Sequence, residues 1–189
     1  LAGDINAEEA RPLVERYFGD APVGPPLNRI NEWIPERRYD TTEVLYDDVP
    51  QSRIYRTWVV PGRITAERAD LQLFATVLGG GRTSRLYQDF VFGRQVATSA
   101  FAYVEAHQLA SQFHIQVTLN PGQDVEAASA RIDEIVAELL AEGPTDEELE
   151  TAQTRINAGV VRGLEQIGGF GGKAGTLAAG ALYADDPAV

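Results

Sequence analysis

The run Ser111–Leu119 constrains the fold of this chain more than any other stretch. Phe113, Ile115, Val117 and Leu119 alternate with Gln112, His114, Gln116 and Thr118. Successive side chains of a strand point to opposite faces, so this pattern demands a sheet with one dry and one wet face, as antiparallel sheets commonly have. The dry face needs a cover, and the following sequence supplies one. Beyond the breaker Asn120-Pro-Gly-Gln123, residues 124–142 carry Val125, Ala128, Ile132, Ile135, Val136, Leu139 and Leu140 on one helical stripe.

The remaining elements follow the same logic. Asn6-Ala-Glu-Glu9 reads as a capping box that opens a helix over 7–18, with Leu13, Val14, Tyr17 and Phe18 at helical spacing. Gly19 ends it, and Pro22, Gly24, Pro25 and Pro26 open a polar stretch to about Asp40 that reads as a linker. Two β-rich runs, Thr41–Val49 and Arg53–Val60, are separated by Pro50-Gln51-Ser52 and are expected to be neighbouring strands. Thr65 is the expected cap of a helix carrying Leu71, Phe74, Ala75 and Leu78, which closes at Gly79-Gly80-Gly81. A shorter helix from Thr83 or Ser84 through Leu86, Tyr87 and Phe90 leads to a strand over Val96–Val104. Gly143-Pro144 stops the 124–142 helix, and Thr145-Asp-Glu-Glu148 is a second capping box starting a helix to about Gln166. Gly168–Tyr183, rich in glycine and alanine, is expected to be helical in part. Paired strands with helices grouped between them predict an α+β fold of two layers, an antiparallel sheet with helices packed on one face.

At 189 residues the chain can bury about 70% of its unfolded surface, enough for a core without staples. Its 16 basic and 28 acidic residues give a net charge of −12, and the scattered arginines form no footprint for phosphate backbones, so nucleic acid is not expected as a partner. No apolar run approaches the ~20 residues of a membrane span. The absence of cysteine removes disulfides, thiolate zinc sites and cysteine nucleophiles together. The chain has no methionine and opens on Leu-Ala-Gly-Asp, and we expect it to be a piece of a longer protein.

Most candidate chemistry has a simpler explanation. His107 and His114, seven residues apart, supply two metal ligands at most, with no H-x-x-E-H helix to aim them. G-x-S-x-G is absent, which leaves a serine triad without its elbow. Asp146, Glu147, Glu148 and Glu150 lie where acidic groups offset the positive end of a helix dipole. Gly168-Gly-Phe-Gly-Gly-Lys173 lacks the spacing of a phosphate loop and follows a helix, not a strand. Gly79-Gly-Gly-Arg-Thr-Ser-Arg-Leu-Tyr87 is the most informative stretch. Its glycines let the chain leave one helix and enter another, and physics alone ranks a plain helix–helix turn first. The alternative is that Arg82 and backbone N–H groups near Thr83 hold an acidic or carboxyl-bearing group.

Leu78-Gly-Gly-Gly-Arg-Thr-Ser-Arg-Leu-Tyr87, between a helix and a β-hairpin, resembles the second domain of the pitrilysin/insulinase family of zinc metalloendopeptidases, which includes the mitochondrial processing peptidase. Gly3-Asp-Ile-Asn-Ala-Glu-Glu-Ala10 through Tyr17-Phe18-Gly19-Asp20 resembles the end of that family's first domain. Glu142-Gly-Pro-Thr-Asp-Glu-Glu-Leu149 resembles its helix junction. The resemblance implies that residues 1–20 are the tail of a first, zinc-type domain and 21–40 a linker. Residues 41–189 would be a second peptidase-like domain, cut before its end.

The family's zinc site is an H-x-x-E-H helix plus a distal glutamate in the first domain, and this sequence contains no such motif. Zinc is therefore implied for the full-length protein and no cofactor for these residues. Where a second domain completes the active site from the opposite half, the family places an Arg and a Tyr at positions that are Val91 and Thr98 here. The resemblance thus implies a non-catalytic second domain of the zinc-bearing half. Its surface would line a chamber for extended peptides, with Gly79, Gly80, Gly81, Arg82, Arg85 and Tyr87 as substrate contacts. The implied partners are the first domain of the same half, a second peptidase-like half and a peptide substrate. A periplasmic or exported location is favoured over the cytoplasm. A structural subunit that kept this fold without chemistry, as in respiratory-complex core proteins of the family, is the alternative. An unrelated α+β binding module is the third.

Overall fold

The computed structural model describes residues 3–26, 34, 36–46, 48–169 and 171–187. The chain runs α1 (Ala7–Phe18), β1 (Arg53–Pro61), α2 (Glu67–Gly79), a short π-helix (Tyr87–Gly93), β2 (Ala97–Glu105), β3 (Ala110–Leu119), α3 (Val125–Glu142), α4 (Asp146–Glu165) and α5 (Lys173–Ala184). It divides into two compact units, residues 32–156 and residues 1–31 with 157–189.

The 32–156 unit is built on a three-stranded antiparallel sheet in the order β1-β3-β2. Because β3 runs against both neighbours, β1 and β2 are parallel to each other and β3 is inserted between them. The alternation read at 111–119 is realised there: Phe113, Ile115, Val117 and Leu119 are buried. They join Ile54 of β1, Ala100 and Ala102 of β2, Ala75 and Leu78 of α2, Phe90 of the π-helix, and Ala128, Ile132, Ile135 and Leu139 of α3 in one core. This is the expected α+β architecture of helices on one face of a sheet. Phe113 also packs between Trp58 and Phe74, with ring centroids 6.0 and 5.7 Å away.

The helix starts show how local chemistry sets boundaries. Asn6 Oδ1 accepts from the Glu9 N–H at 2.9 Å, and Asp124 Oδ1 accepts from the Ala127 N–H at 3.0 Å. At α4 the capping box is reciprocal: the Thr145 N–H donates to Glu148 Oε2 at 2.8 Å and the Glu148 N–H to Thr145 Oγ1 at 3.2 Å.

Two expectations fail. Thr65 does not cap α2, because the helix begins at Glu67 and its N-cap position falls on Ala66; the Thr65 hydroxyl instead donates to the Gly62 carbonyl at 3.1 Å. By contrast, the short helix expected from Thr83 or Ser84 is present: it begins at Arg85, directly after Ser84, and continues as the π-helix over Tyr87–Gly93, closed by the Arg94 N–H donating to the Asp89 carbonyl at 2.8 Å. Residues 41–46 form no strand, and Val44, Leu45 and Tyr46 are exposed. A strand needs a neighbour for its backbone groups, and propensity alone does not supply one. Residues 27–33, 35 and 47, which fall in the predicted linker and strand, lie outside the described residues, as does 170 in the glycine-rich segment.

In the other unit, α1 and α5 join the second half of α4. The α1 side chains Leu13, Val14, Tyr17 and Phe18 are exposed. The αL residue Asp185 ends α5.

Gly79 explains how α2 reaches the sheet. A Cβ there would lie 2.6 Å from the Phe101 carbonyl carbon and 2.7 Å from the Ala102 Cβ, so the helix end rests directly on the β2 backbone. Gly79→Ala is expected to destabilise the fold by about 1–3 kcal/mol through overpacking. Gly159→Ala, within α4 where an added Cβ meets nothing within 4 Å, is expected to stabilise by about 0.5–1 kcal/mol. Denaturant titration of both variants checks the opposite signs.

Candidate functional site

The glycine turn is held from both sides. The Gly80 N–H donates to the Thr76 carbonyl at 2.9 Å, ending α2, and Gly81 takes φ +156°, which favours glycine. The Ser84 N–H then donates to the Gly81 carbonyl at 3.1 Å. A short helix begins directly after Ser84, whose carbonyl accepts from the Gln88 N–H at 2.9 Å.

Arg85 locks this turn to the start of α4, 63 residues on. Its Nε and Nη2 donate to the two carboxylate oxygens of Glu148 at 2.7 and 2.8 Å, and Nη2 donates also to the Gly143 carbonyl at 3.2 Å. Both side chains are largely covered. The Arg85 hydrogen bonds and the Thr145 N–H hold the Glu148 carboxyl at about 2, well below the usual 4.5, against the opposing effect of its burial. Arg85 is correspondingly shifted up by its bond to Glu148.

The six residues expected to contact substrate therefore sit in different environments. Gly79 is buried against β2, Arg85 is engaged by Glu148, and Tyr87 is half-buried at the start of the π-helix. Arg82 is exposed, and its carbonyl accepts from Gln88 Nε2. Gly80 borders a cavity of about 130 Å³ between the turn and α4, lined also by Thr76, Thr83, Ser84, Thr151 and Arg155. A Cβ at Gly81 would lie 2.6 Å from the Arg155 Cζ, so the missing side chain makes room for that guanidinium. Sequence reading passed over Thr151 and Arg155. The signal was their i, i+4 spacing after Glu147, which puts all three on one face of α4.

The sheet's second surface is its wet face, which the helices of this unit leave open. The register lines up Tyr55, Gln116 and Phe101 in one row and Thr57, His114 and Tyr103 in the next. Tyr55, Phe101 and Tyr103 are exposed there. His114 stacks on Tyr103 with centroids 5.0 Å apart, and its Nδ1 lies 3.0 Å from Thr57 Oγ1. Its Nε2 faces Glu105 Oε2 at 3.4 Å, while His107 Nε2 faces Glu105 Oε1 at 3.5 Å. Each imidazole thus meets a different oxygen of one carboxylate lying between them, and the three do not converge on a common point. Among the described residues no group of three or more His, Cys, Asp or Glu is placed to hold a metal ion, so zinc does not fit here and no zinc chemistry is assigned to these residues.

The Arg85–Glu148 pair makes stability depend on pH with a definite sign. Folding favours the ionised carboxyl, so the pair's contribution is complete above about pH 4.5 and is lost as the pH falls toward 2. Glu148→Gln is expected to cost about 2 kcal/mol at pH 7. The gap from the parent should narrow steadily below about pH 4.5, as measured by urea denaturation across that range.

The profile of the family described as the peptidase M16 inactive domain matches residues 1–156. An uncharacterised zinc protease of Mycobacterium leprae is 26% identical over 173 residues, covering 87% of this chain and 37% of that protein. A protease from Helicobacter pylori superposes with a TM-score of 0.75 at 23% identity, covering 98% of this chain and 45% of that one. An M16 inactive domain from Pseudomonas fluorescens gives 0.65 at 20% identity, over 82% and 37% of the two chains. The periplasmic protease PqqL from Escherichia coli gives 0.67 at 18% identity, over 98% and 20%. The chain thus spans well under two thirds of these relatives. Among the described residues no helix is long and apolar enough to cross a membrane. With the family profile covering most of its length, in agreement with the resemblance carried by residues 78–87, this chain belongs to the M16 peptidase inactive domains.

Proposed function

We propose that this chain is the non-catalytic second domain of the zinc-bearing half of a metalloendopeptidase that cleaves extended peptides, and that it forms chamber wall and substrate-binding surface. The observation that carries the reading is the open sheet face: exposed Tyr55, Phe101 and Tyr103 offer apolar rings beside the hydrogen-bonding groups of Thr57, His114 and Gln116. Such a mixture suits a peptide, whose side chains need apolar contact and whose backbone needs polar partners. The glycine turn at 79–81, with Arg82, Arg85 and Tyr87, borders the same substrate path in this reading.

Residues 1–20 serve as the tail of the preceding domain, 21–40 as the linker, and 41–189 as the second domain. The irregular backbone at 21–26 and 36–46 supports a connecting role. The partners are the first domain of the same half and a second peptidase-like half. Zinc-activated water, which attacks the peptide carbonyl in such enzymes, belongs to the first domain. A periplasmic or exported setting fits a chain without cysteine and with a periplasmic structural neighbour.

Two outcomes follow. Incubated with extended peptides, this chain alone is expected to show no chelator-sensitive cleavage; robust cleavage abolished by chelation overturns the reading. In the longer active protein, Phe101→Ala and Tyr103→Ala are expected to raise KM for extended peptides several-fold with kcat little changed, the pattern of lost uniform binding. An unchanged KM removes the sheet face from substrate binding.

A further inference from the structure

The cavity beside the glycine turn has a chemistry that neither the Arg85–Glu148 lock nor the sheet face uses. Arg155, on the exposed side of α4, packs its guanidinium over Gly81. Among the described residues it makes no ion pair and no hydrogen bond, although Glu147 lines the same cavity. The hydroxyls of Thr83 and Thr151 are likewise without a hydrogen bond among the described residues, and both open on the cavity. The neighbouring donors are already committed: Thr76 Oγ1 donates to the Gln72 carbonyl, and Ser84 Oγ to the Gly81 carbonyl. Glu148 is engaged by Arg85 and Thr145. What remains at the cavity is a planar cationic fork and a hydroxyl on α4, and a second hydroxyl on the turn, all able to donate, with the missing Gly81 side chain leaving the fork its place.

From this arrangement we propose that the cavity is a binding site for a single carboxylate, received bidentately by Arg155 and seconded by Thr83 and Thr151. The guanidinium fork matches a carboxylate in geometry. A cavity of about 130 Å³ admits such a group without a large body. Glu147 and the net charge of −12 disfavour anions of higher charge, such as phosphate, since one guanidinium neutralises one charge only. The source of the carboxylate rests on the peptide-binding reading above: it is the C-terminus of a bound peptide or an Asp or Glu side chain within one.

The test is a titration of the whole 189-residue chain followed by the backbone N–H resonances of Gly80 and Gly81 and the Nε–H of Arg155. The probes are N-acetyl-alanine, N-acetyl-aspartic acid amide and the neutral N-acetyl-alaninamide. A saturable shift from a carboxylate probe, on the order of millimolar in affinity and absent with the neutral amide, is expected. The tighter of the two acids identifies C-terminal or side-chain origin. Arg155→Gln should abolish the shift and Arg155→Lys weaken it roughly tenfold, because an ammonium cannot reproduce the fork. Thr151→Val should weaken it several-fold, and the thermal unfolding of all three variants should match the parent, since both positions are exposed.

Equal shifts from the neutral amide, saturation unaffected by Arg155→Gln, or no saturable shift from either acid overturns the site. If the acids bind as expected while Tyr103→Ala leaves peptide KM unchanged in the longer protein, the carboxylate site stands and the chamber reading fails.

Discussion

The one-sided burial of β3 decides where everything else in the 32–156 unit lies. A central strand has its backbone satisfied on both edges, so its side chains alone determine what packs on either face. Phe113, Ile115, Val117 and Leu119 require a dry cover, and α2, the π-helix and α3 provide it. Gln112, His114 and Gln116 are only half-buried on the other face, although Thr118 is buried, and Tyr55, Phe101 and Tyr103 remain accessible across from them. The surface assigned to peptide binding is thus the necessary complement of the core.

A second constraint fixes the glycine turn. Arg85 and Glu148 are far apart in sequence, yet their fork-to-fork pairing also captures the Gly143 carbonyl and leaves Glu148 in reach of the Thr145 N–H. One carboxylate therefore caps a helix and anchors a distant loop. A comparable tie joins the π-helix to α3: Asp89 receives Arg131 through two hydrogen bonds at 3.0 and 3.1 Å, and Arg94 approaches it at 3.0 Å. Between 124 and 150 Arg131 is the lone base among ten acids, and it also reaches Glu134 and Glu138, so it holds the most acidic part of the chain together.

Much of this was legible in the sequence because it is written in local chemistry. The capping residues Asn6 and Thr145, the periodicity of 111–119 and the stripe of α3 all act within a few residues. The misses share a different cause. Residues 41–46 have the composition of a strand, but pairing is decided by what lies alongside. Thr65 has a capping side chain, but the helix starts one residue past its reach, with Ala66 at the cap. At the turn, the sequence motif drew attention to Gly79–Tyr87 while the exposed partner, Arg155, lies 68 residues beyond Tyr87 and carries no motif of its own. The roles of Gly79 and Arg85 depend on the backbone of β2 and on Glu148, neither of which is near them in sequence.

The strand order has a consequence for how the chain folds. The β2–β3 hairpin closes across residues 106–109, a short loop of low entropic cost, whereas β1 must find β3 across everything from 62 to 109. β1 pairs only with β3, so it has no partner until β3 has been made. The hairpin is the natural nucleus, and β1 with its Trp58 arrives afterwards as a long-range closure. During synthesis β1 therefore leaves the ribosome well before its partner does, and Ile54, Trp58 and Val60 wait in water until β3 has been made.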